Sequence, residues 1–161
     1  MTPRTNTPEQ SPPAVELYQF EGTEVWMDDD EHARLKGYFP LSPGAPNGTD
    51  AGATDCAIVC LEIQPGEYLP THRDSAEELL LVTAGTVEAS VGEESVRLPT
   101  GSCTVVPEMA PHSVRNVGDE PARVIGYFPS SEMTATFERP LQPFGTTVVA
   151  VGGDGEDTEE M

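Results

Sequence analysis

Residues 66–85 read GEYLPTHRDSAEELLLVTAG, and residues 101–116 read GSCTVVPEMAPHSVRN. Each sets a histidine between turn-forming residues and strand-like apolar runs. The chain has three histidines, and two of them, His72 and His112, fall in these stretches. Imidazole is the commonest side-chain ligand of divalent transition metals. Asp74 and Glu78 follow His72 closely. Two imidazoles with one or two carboxylates form the donor set of an iron, manganese, nickel or zinc site.

Spacing says where these four can meet. His72 and Asp74 are two apart, so on one strand they face the same side. Glu78 lies six beyond His72, about 20 Å away on a straight strand. A shared ion therefore requires a turn near residues 75–77. Asp74 and Ser75 are turn formers, and the apolar run from Glu78 opens a new strand. Glu78 would then point into the core, where a carboxylate is costly unless paired or metal-bound. His112 follows the turn at 107–111 and opens another strand. All four candidates thus sit at strand ends, as at the mouth of a barrel.

Working outward, 161 residues make one domain with a sizeable core, and 16 prolines with 15 glycines keep its elements short. Strand character separated by turn signals recurs at 57–63, 68–74, 78–83, 86–91, 95–98, 102–106, 112–116 and 122–128. Short strands at regular spacing predict an all-β sandwich or barrel. Residues 15–20 and 23–27 read as two further strands that pair. Residues 31–36 are the one helix-compatible stretch, and 41–55 a long, mobile surface loop. Residues 1–13 and 151–161 lack an apolar pattern and are expected to be a disordered arm and a disordered acidic tail. A single domain is expected over 14–150, with its motif core at 57–128.

Charge narrows the partners. Twenty-eight acids face eight bases, for a net charge of −20, and Lys36 is the only lysine. Nucleic acid and anionic membranes require a basic footprint, so neither is an expected partner. Carboxylates throughout and almost no lysine predict a protein of a halophilic archaeon, whose molar salt shortens the Debye length to about 3 Å. No apolar run reaches the roughly 20 residues of a membrane helix. The N-terminal stretch has no apolar signal core, which predicts a cytoplasmic location. It also leaves the sequon at residues 47–49 unused. Cys56 and Cys60 on one strand would be about 13 Å apart, too far for a disulfide. Those two and Cys103 are expected to be buried.

The two stretches resemble the paired motifs of the cupin superfamily, in particular small single-domain cupins of the conserved-barrel type. Gly66, His72, Glu78 and Gly85 match the first motif, G(X)5HXH(X)3,4E(X)6G, with Asp74 where a second histidine usually stands. Gly101, Pro107, His112 and Asn116 match the second, G(X)5PXG(X)2H(X)3N, with Met109 in place of glycine. The resemblance implies a six- to eight-stranded jelly-roll barrel (a double-stranded β-helix). It implies a divalent metal held by His72, Glu78 and His112, with Asp74 a fourth ligand or a group hydrogen-bonded around the metal. Asp74 makes the donor set harder and more anionic, which suits iron, manganese, nickel or zinc and disfavours copper(I). Met109 implies a turn different from the usual one, because non-glycine residues resist positive φ.

The fold alone does not choose a reaction. Parity places Leu80, Val82 and Val114 on the wall facing the ligands, together with Met109 and Phe128. Parity also turns Arg73 and Arg115 away from the interior. A mostly apolar wall suits a small, partly apolar organic molecule. The expectation is a dioxygenase-like metalloenzyme. The alternatives are a non-catalytic small-molecule or metal-binding cupin and a redox-neutral isomerase or lyase. Asp74 and Glu77 are the available acid–base groups, His32 reads as an exposed polar residue, and a homodimer is compatible with the chain.

Overall fold

The structure, a computed structural model, describes residues 14–45, 48 and 53–151. The arm at 1–13, the tail from 152 onward, and Asn47 and Thr49 of the sequon lie outside the described residues. Those described form twelve strands in two antiparallel six-stranded sheets. In chain order the strands are β1 (Thr23–Met27), β2 (Asp30–Leu41), β3 (Ala57–Ile63), β4 (Tyr68–Asp74), β5 (Glu78–Ala84) and β6 (Val87–Val91). They continue with β7 (Glu94–Leu98), β8 (Cys103–Val106), β9 (His112–Asn116), β10 (Ala122–Phe128), β11 (Thr134–Leu141) and β12 (Thr146–Ala150). One sheet has the order β1-β2-β3-β10-β5-β8, the other β12-β11-β4-β9-β6-β7. This is the all-β jelly roll expected of a cupin, with more strands than the expected six to eight. Among the described residues no helix is long and apolar enough to cross a membrane.

Alternation builds the core. Along β10, residues Ala122, Val124, Gly126 and Phe128 are buried and the residues between them are partly exposed. Along β5, Glu78, Leu80 and Val82 are buried while Leu79, Leu81 and Thr83 are exposed. The inward residues of both sheets, among them Leu61, Val87, Val114 and Phe137, form one apolar cluster between the layers.

Two readings near the N-terminus are corrected. The helix-compatible stretch 31–36 is part of β2, a twelve-residue strand. Ala33 and Leu35 alternate with exposed Arg34, and pairing with both β1 and β3 overrides the weak local preference. Residues 15–20 form a turn rather than a strand, and β1 pairs with β2. Strands β11 and β12 lie in a region that carried no strand reading; β11 is fixed by its pairing to β4. Of the cysteines, Cys60 is buried and Cys56 half-buried, but Cys103 is exposed, because it sits on the outward side of the edge strand β8.

Candidate metal centre

The two motifs meet because β4 pairs with β9. His72 and His112 are direct cross-strand partners, and their rings lie 4.1 Å apart between centroids. Asp74 shares the inward face of β4 with His72, as parity requires. The chain then bends at Ser75 and Ala76 and enters β5 in the opposite sheet, so Glu78 reaches the same region from across the barrel. All four side chains are buried: His72 at 6%, Asp74 at 2%, Glu78 at 3% and His112 at 1% exposure. Glu77, on the other parity, is exposed and does not join them. His32 is exposed, as expected.

The turn before β9 anchors this arrangement. Met109 takes φ +63°, the left-handed conformation that glycine usually supplies, so the expectation of a different turn is corrected. The Met109 amide donates to the Asp74 carbonyl at 2.8 Å, and its carbonyl accepts from Arg73 at 2.8 Å. These bonds clamp the turn to the end of β4 and offset the backbone strain. Asn116, another motif residue, is structural: its amide donates to the carbonyls of Ile63 and Glu120, both at 2.8 Å, and its oxygen accepts from Gly118.

Tautomers decide what the cluster wants. The His72 Nδ1 lies 2.9 Å from the Pro70 carbonyl, and the His112 Nδ1 lies 2.9 Å from the Ala110 carbonyl. A carbonyl can only accept, so both Nδ1 atoms carry the proton and both Nε2 atoms are left as lone pairs in the neutral rings. His112 Nε2 then faces Glu78 Oε1 at 3.1 Å and Asp74 Oδ2 at 3.0 Å, acceptors against an acceptor. Nε2 is aligned on Glu78, so Asp74 Oδ2 is buried with no hydrogen-bond partner. His72, Asp74 and His112 each offer a ligand atom, all within 4.8 Å of one another. Two carboxylates and two imidazole lone pairs turned to one region lack positive charge. A divalent cation supplies it, so the residues present fit such an ion.

Titration reflects the same imbalance. Burial lowers the His72 pKa to about 4, and the neighbouring His112 adds to the effect against Asp74. Burial also disfavours a charged His112, but contacts with Asp74 and Glu78 outweigh it and raise that pKa to about 10. Burial raises Glu78 to about 7. Without a metal, one proton on His112 is the available counter-charge.

His72, Asp74 and Glu78 form one wall of an open apolar cavity of about 600 Å³, solvent at its mouth included, and His112 stands behind them. Phe39, Leu61, Leu69, Phe128, Phe137 and Phe144 line it, and its lining holds no arginine or lysine. Phe137 stacks on the His72 ring at 4.7 Å and 19°. Of the expected wall residues, Phe128 is in place. Leu80, Val82 and Val114 are buried but do not line this cavity, and Met109 is 47% exposed. Inward parity is common to every second residue of a strand, and Leu80 and Val82 run along β5 away from Glu78. Arg73 and Arg115 do point outward.

One further residue completes the site. Gly126 faces inward from β10, and a Cβ there would lie 2.1 Å from Glu78 Oε2. The missing side chain is the space that the carboxylate occupies. The available signal was a lone glycine at inward parity in a strand, which marks a close approach.

Comparisons with known proteins agree with this architecture. Residues 59–128 match the cupin domain family model. Protein SchB of Streptomyces halstedii is 29% identical over 106 residues, covering 60% of this chain and 77% of that protein. A point mutant of Bacillus subtilis oxalate decarboxylase superposes with a TM-score of 0.64 at 18% identity, over 84% of this chain and 35% of that one. The formate complex of Lactobacillus farciminis oxalate decarboxylase gives 0.59 at 20% identity, over 79% and 37%. The chain thus spans about a third of the length of those two decarboxylases. A predicted oxalate decarboxylase from Thermotoga maritima gives 0.61 at 13% identity, over 73% of this chain and 98% of that one. At these identities the structures speak for the fold. Residues 59–128 thus match the cupin domain family model, and the two-sheet jelly roll is the fold these solved structures share.

Proposed function

We propose that the protein is a metal-dependent cupin that oxidises a small, largely apolar organic molecule with O2. The observation that carries the reading is the convergence of His72, Asp74 and His112, with Glu78 against His112, short of positive charge beside an apolar cavity. His72, Asp74, Glu78 and His112 would hold the ion, with iron or manganese as the favoured identity. Such an ion would supply the redox chemistry and leave positions for substrate and O2. The chain's own contribution is placement. Phe39, Phe128 and Phe144 exclude water, and Phe137, stacked on His72, offers a flat face for an unsaturated substrate. Asp74 lines the cavity, and its carboxylate oxygen not bound to the ion would be placed to accept a substrate proton.

The cavity also argues against carrying oxalate chemistry over from the structural relatives. Beyond the ion, a small dianion would find two buried carboxylates and no lysine or arginine in an otherwise apolar lining. The test is metal analysis of protein purified in high salt, followed by oxygen uptake with a panel of apolar phenols and catechols. One equivalent of metal with substrate-dependent oxygen uptake is expected. Metal without uptake points to the non-catalytic or redox-neutral alternative. Absence of metal removes the whole reading.

A further inference from the structure

The cavity beside the metal centre is polar at one end only. Among the described residues, His72, Asp74 and Glu78 are its polar lining; every other lining residue is apolar. Those three are buried and form the deep end. The lining residues that are partly exposed, Ala45, Phe144, Val149 and Ala150, mark the mouth, and none of them is polar. The backbone beside them is also engaged. The Val151 amide donates to the Met133 carbonyl at 3.1 Å, and the Val151 carbonyl accepts from the Gly44 amide at 3.3 Å. The chain has five phenylalanines, and Phe39, Phe128, Phe137 and Phe144 all line this cavity. A molecule inside therefore meets polar side chains at its inner end and apolar, largely aromatic surface along the rest of its length.

Charge sets a second condition. Both imidazoles direct their Nδ1–H to carbonyls, of Pro70 and Ala110, so each offers a neutral ring to an ion. The two positive charges of a divalent ion are then cancelled by Asp74 and Glu78, which are buried in the same cluster. Arg73 follows His72 directly in sequence, but it faces outward and donates to the Met109 carbonyl at 2.8 Å. An anionic head group would carry uncompensated charge into an apolar enclosure, and a neutral one would not.

We propose that the cavity takes a neutral aromatic molecule with a single polar end, an inference that rests on the metal-dependent reading above. The polar head goes in first, to the ion and Asp74. The rings lie among the phenylalanines, and Phe144, on the turn between β11 and β12, closes over the trailing edge. Asp74 sets the charge preference, because it is the second carboxylate that brings the loaded centre to neutrality.

Titration calorimetry on manganese(II)-loaded protein without oxygen tests this, with three probes that share one ring system. 2-Naphthol, neutral and polar at one end, should bind. 2-Naphthoate, the same rings with an anionic head, should bind at least about tenfold more weakly. 2,6-Dihydroxynaphthalene buries a second hydroxyl among apolar groups and should also lose about tenfold. Asp74→His replaces a carboxylate with a neutral imidazole, and Asp74→Asn replaces it with a neutral amide of similar shape. In whichever variant holds manganese by elemental analysis, the preference should move toward 2-naphthoate by about tenfold or more. Phe144→Ser should weaken 2-naphthol severalfold and leave the naphthol-to-naphthoate ratio unchanged. Failure of 2-naphthol to bind, or 2-naphthoate bound as tightly in the wild type, overturns the proposal. A ratio unmoved by the Asp74 substitutions overturns the role given to Asp74. Selective binding of 2-naphthol with no oxygen uptake supports this proposal and removes only the oxidation, so the two readings fail separately.

Discussion

Replacing Gly126 with alanine tests the site at its tightest point. The added Cβ would lie 2.1 Å from Glu78 Oε2, 3.2 Å from Glu78 Cδ and 3.0 Å from a Val59 methyl. Carbon–oxygen contacts settle at about 3.3–3.6 Å, so the carboxylate must retreat by roughly 1 Å or more. That takes Glu78 Oε1, now 3.1 Å from His112 Nε2, out of hydrogen-bonding range. In the metal-free protein this costs a charge-assisted bond of about 1.5–3 kcal/mol. With metal bound, the same retreat draws a carboxylate donor away from the ion, and metal affinity should fall some ten- to a hundredfold. Overpacking should also destabilise the metal-free fold by about 1–3 kcal/mol. Titration calorimetry with manganese(II), with a thermal melt of the metal-free protein, reads both. In a Glu78→Ala background, Gly126→Ala should change metal affinity little, because the displaced group is gone. Unchanged affinity in the single Gly126→Ala variant would refute the claim that Gly126 exists to seat the Glu78 carboxylate.

The remaining expectations follow from the same geometry. His112→Ala should abolish stoichiometric metal binding and, by leaving Asp74 and Glu78 buried without a cation, destabilise the metal-free protein by about 3–5 kcal/mol, measured by elemental analysis and denaturant melts. Metal affinity should rise with pH: Glu78 is raised by its burial to about 7, and His112 to about 10 against the opposing effect of burial, so binding expels protons. Each expelled proton adds about a tenfold gain per pH unit below the folded pKa; a flat profile, or no proton release in buffers of different ionisation enthalpy, counts against it. The melting temperature should climb as potassium chloride rises from tenths molar to molar, because the Debye length falls from about 10 Å to about 3 Å and screens close carboxylate repulsion. A flat or falling melting temperature would mean that the acidity is no adaptation to brine.

Local pattern made much of this protein readable. Alternation and turn residues located every strand from β3 to β10 within a residue or so, because sheets half-buried between layers impose a period of two. The turn at Ser75 and the shared face of His72 and Asp74 followed from spacing alone. Patterns fail where several structures satisfy them. The charged stretch 31–36 suits a helix or a strand, and only its pairing partners on either side decide. Residues 15–20 alternate like a strand but have no neighbour to complete a ladder.

The sequence by itself therefore singled out the candidate groups, two imidazoles and two carboxylates, each at or near a strand end. Tertiary structure alone decided how they meet. β4 had to pair with β9 to set His72 opposite His112, and the two sheets had to close to bring Glu78 from the far side. Packing also chose which inward residues line the cavity, favouring Phe137 and Phe144 over Leu80 and Val82. It let Met109 take a glycine conformation, with its backbone bonds to Asp74 and Arg73 offsetting the strain. Parity along one strand tells which face a side chain takes, but distances across a barrel depend on strands remote in the chain.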